Sequence, residues 1–352
     1  MRAQYAESVR DRKAGSSDKD WELIGSTFHR WVRDNRTRLK LGTEAENLTL
    51  VTSHFPFFAR AYLAVLDASR TYTKGLEAVF YNAHNEFTWQ YTVLLAPLTV
   101  GDDPDTVRRK IGATATYLDI WLMRRVVNYI RVGYSTTSYA MYLLCKDIRQ
   151  KSLPDLVATL VKKLQEDDAT FDGSESRGRS GIAGLGLNQF SRRYIYHMLA
   201  RLTAFTEVGA GRPDLFDKYV DREQKNPWDI EHVWADDPAP YLAQFASEAE
   251  FQDARNHIAG LVLLPADVNR SYQDKPYEQK VPHYAKQNMY AASLTAEAYQ
   301  HQPQFVAFCK GRGLPFRACE AFGRKEQAER RELVLALAKL VWSPDRLQAF
   351  LA

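Results

Sequence analysis

The stretch Trp228-Asp229-Ile230-Glu231-His232-Val233-Trp234 decides how this chain reads, together with Leu263-Leu264-Pro265-Ala266-Asp267-Val268-Asn269-Arg270 further on. A carboxylate and a histidine side by side at the end of an expected strand can divide one chemical task. The imidazole takes a proton from water near neutral pH, while the carboxylate attracts a divalent cation to a phosphate. Ahead of Asn269, Ile258-Ala259-Gly260-Leu261-Val262-Leu263-Leu264-Pro265 is an apolar run whose length and β-branched content suit a buried strand. Beyond Asn269 the text turns polar and helix-like, with Lys275, Glu278 and Lys280. The expected order is strand, loop, strand, helix, with Glu231-His232 on the first strand and Asn269 opening the helix.

These residues resemble the HNH (His-Me finger) nuclease domain, a ββα-metal unit, that closes the GmrSD-type restriction proteins, including the SspE-like phosphorothioation-sensing defence nucleases. The resemblance rests on Ile230-Glu231-His232-Val233, on Arg255-Asn256-His257-Ile258-Ala259-Gly260-Leu261-Val262-Leu263-Leu264-Pro265, on Asn269, and on Pro276-Tyr277-Glu278-Gln279-Lys280. It implies that His232 is the general base and that Glu231 and Asn269 approach one Mg²⁺ or Mn²⁺ ion. It also implies that Lys275 and Lys280 lie near the phosphates, and Arg270, Asn256 and His283 join them as DNA-binding candidates. Two positions depart from the family pattern. Ala235 stands where a proline is frequent, and Gly260 stands where an asparagine often tethers the loop carrying the histidine. Asn256 is the nearest substitute for that tether.

Each residue also has a plainer reading. A lone histidine after a carboxylate is commonly a surface or core residue, and only the ordered second strand and Asn269 lift His232 above that level. His257 lacks a carboxylate neighbour and reads as structural, and Lys275 and Lys280 can equally be solvated helix charges. Tyr272 and Tyr277 read as packing residues.

Composition bounds the rest. The 352 residues leave room for two domains or one large helical body with an appendage. A hydrophobic content of 45% with 12% aromatics supports buried cores and argues against disorder. No run of about 20 apolar residues occurs, and Met1-Arg2-Ala3-Gln4-Tyr5-Ala6-Glu7 lacks an apolar signal core. The expectation is a cytoplasmic protein with no membrane partner. Cys145, Cys309 and Cys319 fit a reducing compartment, and without a CxxC pair they do not read as a zinc site. The net charge is +4, yet residues 225–290 hold 6 Lys and Arg against 10 Asp and Glu. A segment of that sign repels a duplex unless cations elsewhere offset it. Candidates are Arg30, Arg33, Arg36, Arg38 and Lys40, then Arg108, Arg109 and Lys110, then Arg192 and Arg193.

Along the chain, residues 1–220 are dominated by helical periodicity. Trp21, Ile24, Phe28, Trp31 and Val32 repeat at three and four. Further helices are expected over 55–66, 76–98, 105–130, 138–149, 153–164 and 188–205, then 304–309 and 326–342. Residues 172–186 hold five glycines but no Gly-Lys-Ser/Thr ending, and read as a loop rather than a phosphate cradle.

The expected fold is mainly α, a helical body with an embedded ββα-metal (HNH) nuclease unit. Residues 1–220 form the DNA-binding or connecting region, 221–300 the nuclease unit, and 301–352 helices packing back on the body. The expected function is metal-dependent DNA nicking within a modification-linked restriction or anti-phage system. The partner is double-stranded DNA, with an N-terminal NTPase or sensor domain or subunit outside this chain. The alternative is a catalytically silent DNA- or partner-binding helical module with a decayed HNH unit.

Overall fold

Periodic apolar text becomes helix wherever turn chemistry permits it. A computed structural model describes residues 1–9, 19–272 and 274–352. The chain divides into one unit of Met1–Met123, Arg131–Asp167 and Pro344–Ala352, and a second of Arg124–Ile130 and Asp168–Ser343.

The first unit is built from α1 (Phe55–Arg70), α2 (Pro104–Val127, whose last turn belongs to the second unit), α3 (Tyr134–Ile148), α4 (Leu153–Gln165) and shorter helices. Ser152 starts α4: its hydroxyl accepts the Asp155 amide, and Pro154 fits the first turn, where no N–H is needed. Two expected helices are interrupted. The periodic text around Trp21–Val32 becomes Asp20–Ser26 and Phe28–Asp34, parted at Thr27. The run over 76–98 becomes Glu77–His84 and Gln90–Val93, because the chain turns at Glu86, whose φ is +56°. Much of the charge assigned to DNA here is met locally. Lys110 is buried against Asp102 at 2.7 Å, Arg109 pairs with Asp105 and Arg38 with Asp20, each at 3.0 Å.

The second unit holds the sheet. β1 (Trp228–His232) and β2 (Leu261–Pro265) are antiparallel, with Glu231 opposite Val262 and His232 opposite Leu261. Four residues of β2, Leu261 to Leu264, are fully buried, as a strand covered on both faces requires. The strand is shorter than the expected 258–265 run: Ile258–Gly260 forms a 3₁₀ turn ahead of it. Around the sheet lie α5 (Arg192–Gly209), α6 (Glu248–Asn256), α7 (Ala266–Tyr272), α8 (Tyr277–Tyr284) and α9 (Arg324–Val341). Asn269 sits in the middle of α7 rather than opening it. Trp234, just past β1, is buried among Tyr241, Phe245, Phe251 and Phe322, which anchors the chain where it leaves the strand. The glycines of 172–186 serve turn geometry. Gly181 has φ +58°, and a Cβ there would lie 2.1 Å from the Phe171 carbonyl oxygen. No helix among the described residues is long and apolar enough to cross a membrane.

Candidate active site

Strand alternation sends neighbouring side chains to opposite faces, and β1 uses this at its end. Glu231 is 7% exposed and faces α8, where Lys280 is 1% exposed. The Lys280 ammonium donates to Glu231 Oε1 at 2.7 Å and to the His232 carbonyl oxygen at 2.7 Å. Burial pushes the Glu231 carboxyl above its ordinary range and pulls the Lys280 ammonium below its own, and each opposes the shift in the other. Lys280 therefore corrects the expectation drawn for it. Its ammonium lies in the interior, neutralising Glu231 and pinning the end of β1, and does not reach a phosphate from that position.

The His232 ring is half-buried, and its Nε2 lies 3.0 Å from Asn256 Oδ1 at the end of α6. An amide oxygen can only accept, so Nε2 carries the proton in this pair and Nδ1 keeps its lone pair. Burial first, then the nearby Arg255 guanidinium, pushes the imidazole down to about 4, so it is neutral at pH 7. The backbone holds the same loop: Val233 N–H donates to Gly260 O at 2.9 Å. Arg255 Nε donates to Ala235 O at 3.2 Å. The position where the family often has asparagine thus contributes a carbonyl, and the Asn256 side chain grips the histidine. His257 is fixed separately, accepting the Ala259 amide at Nδ1 (3.1 Å) and donating from Nε2 to Ile182 O (2.9 Å), a structural part as read from sequence.

Asn269 reaches back from α7, its Nδ2 donating to Ile230 O at 3.3 Å. The Tyr272 and Tyr284 hydroxyls are buried with no hydrogen-bond partner among the described residues, and both phenols are raised, by burial first and then by the Glu231 carboxylate. Lys275 and His283 are exposed beside Tyr272, with the Lys275 ammonium 5.9 Å from the ring centroid and the imidazole 6.0 Å from it. Arg270 is exposed on α7. The fold thus gathers Glu231, His232, Asn256, Asn269 and Lys280 at the end of β1 and leaves Arg270, Lys275 and His283 at the surface. Arg255, Tyr272 and Tyr284 belong to the same neighbourhood but were not singled out for the site. Only Arg255, adjacent to Asn256, carried a signal for it.

Among the described residues no three His, Cys, Asp or Glu side chains come together as a metal site, and the oxygens that could face a cation are those of Glu231 and Asn269. Lys280 engages only Oε1 of Glu231, and no side-chain donor among the described residues reaches Oε2 or Asn269 Oδ1. The two phenols without partners, Tyr272 and Tyr284, feel the charge of that carboxylate. Hard oxygen donors of this kind suit Mg²⁺ or Mn²⁺ rather than zinc.

Residues 187–306 match the family described as GmrSD restriction endonucleases, C-terminal domain, so this segment is similar to that domain. The match covers both strands and every residue of the cluster, and it suggests a restriction endonuclease role. No curated protein and no solved structure matches the chain.

Proposed function

We propose that the chain is a DNA endonuclease of the HNH type that nicks one strand at a time, as the effector of a modification-linked restriction or anti-phage system. The observation that carries this reading is the His232–Asn256 pair at the end of β1, inside the segment matched to a restriction endonuclease domain. With Nε2 held by Asn256, His232 Nδ1 is the basic atom that takes a proton from the attacking water. Neutral at pH 7, the ring is in the correct state to accept it, and the negative phosphodiester raises its basicity on arrival. Glu231 and Asn269 are the residues that would hold a Mg²⁺ or Mn²⁺ ion, which when bound supplies charge stabilisation at the phosphate oxygens. Lys280 positions Glu231 and the His232 backbone. Arg270, Lys275 and His283 offer cationic or hydrogen-bonding groups to the strand. An N-terminal NTPase or sensor partner and a cytoplasmic setting complete the proposal.

One observation favours the alternative of a silent binding module: an internal ammonium already neutralises the carboxylate assigned to the cation. The two readings separate on supercoiled plasmid incubated with Mg²⁺, with Mn²⁺ and with EDTA. The nuclease gives open circles only with metal, and Glu231→Ala and Asn269→Ala raise the metal concentration for half-maximal nicking, the former more because it removes charge. Full activity in EDTA removes the metal from the mechanism, and no cleavage under any condition supports the silent module.

A further inference from the structure

Within the second unit, a cavity of about 600 Å³ opens between the loop around Gly184–Asn188, α6 and α9. That size lies in the range that encloses small ligands. Asn256 lines it, so one residue is shared between this cavity and the ring of His232.

The wall chemistry is specific. Arg331 is half-buried, and among the described residues no hydrogen bond or ion pair reaches it; its Nε is buried without a partner. Burial lowers its pKa, and its charge helps depress that of His257, so an uncompensated cation stands at the cavity. The other guanidinium of the wall, Arg324, is already paired with Glu250 at 2.8 Å. Asp253 is an exposed carboxylate of the wall with no cation paired to it among the described residues. The Gln327 side chain, 1% exposed, spends its amide on Ala254 O at 3.2 Å, and no described side-chain donor reaches its oxygen. Tyr129 and Phe245 add aromatic rings. A bare guanidinium calls for an anion, a bare carboxylate and an amide oxygen call for N–H donors, and rings call for a flat partner.

We propose that this cavity binds one nucleotide unit, with its phosphate on Arg331 and an amine-bearing base toward Asp253, Gln327 and the rings. The same chemistry can come from a free nucleotide or from a nucleotide unstacked from a strand, at a cost lowest where the base is unpaired. Binding here is independent of strand cleavage, so it stands or falls separately from the nuclease reading.

The test is calorimetric titration of the full chain with dAMP, dCMP, dTMP and inorganic phosphate. The expected order places dAMP and dCMP ahead of dTMP, which has no exocyclic amine, with phosphate weakest. Arg331→Met should weaken dAMP by about tenfold or more, the loss of one charge-assisted hydrogen bond. Arg331→Lys should fall between, and guards against a folding effect of the Met variant. Asp253→Asn should erase the preference for dAMP over dTMP. A duplex carrying 2-aminopurine separates the sources. Fluorescence that rises with protein and is competed away by dAMP assigns the cavity to a strand nucleotide, and unchanged fluorescence with dAMP still bound assigns it to a free one. No nucleotide binding, or binding indifferent to both Arg331 variants, overturns the proposal.

Discussion

Replacing Lys280 with methionine tests whether the ion pair under β1 holds the site together. The ammonium is 1% exposed and bonded at 2.7 Å to a carboxylate that is 7% exposed. Deleting one partner of such a pair leaves the other charge buried, at a cost of about 3–5 kcal/mol. The His232 carbonyl loses its donor in the same step. Glu231→Gln leaves the ammonium facing a neutral amide and should cost somewhat less. The double variant removes both charges and should recover much of the loss, giving a coupling energy of about 2–3 kcal/mol, the upper end for residues in contact. The chain has two units, so a global midpoint is a poor probe. Hydrogen exchange of a peptide covering 228–232 reads the local opening free energy directly. Additivity within about 0.5 kcal/mol, the behaviour of independent sites, would refute the claim that Lys280 supports Glu231.

Burial holds the His257 imidazole down to about 4, against about 6.5 in the unfolded chain. Between those values the unfolded state binds the extra proton, so stability is full above about pH 6.5 and declines as pH falls toward 4, by roughly 3 kcal/mol in all. His257→Gln should flatten the decline in opening free energy between pH 7 and 4.5, and an unchanged slope would assign the loss elsewhere. Arg270→Glu and Lys275→Glu, on exposed side chains beside the cluster, should weaken duplex binding. Neutralising either alone should lower the salt slope by about one. Equal slopes for parent and variants in a fluorescence-anisotropy titration would take both residues off the DNA path.

The pairing of β1 with β2 was legible because Leu261 to Leu264 leave no polar face, which only a covered strand tolerates. The run over 76–98 misled for the same reason. Phe87, Trp89, Val93, Leu94, Ala96 and Leu98 are all buried, so unbroken apolar text there records burial on every side rather than one continuous helix. Lys280 was illegible. Lysine in polar helical text reads as solvated, and only the fold shows that β1 brings Glu231 over it. Asn256 was half legible. Its place near the missing asparagine pointed to a tether, but spacing could not show that it grips the imidazole.

The most direct test of the central claim is the rate of Mg²⁺- or Mn²⁺-dependent plasmid nicking by His232→Ala beside the parent chain, with folding and duplex affinity checked in parallel. A general base contributes on the order of 10²–10⁴ in rate. The expected result is a loss of that size with affinity and circular dichroism essentially unchanged. Nicking by His232→Ala at the parent rate would contradict the assignment of His232 as the base.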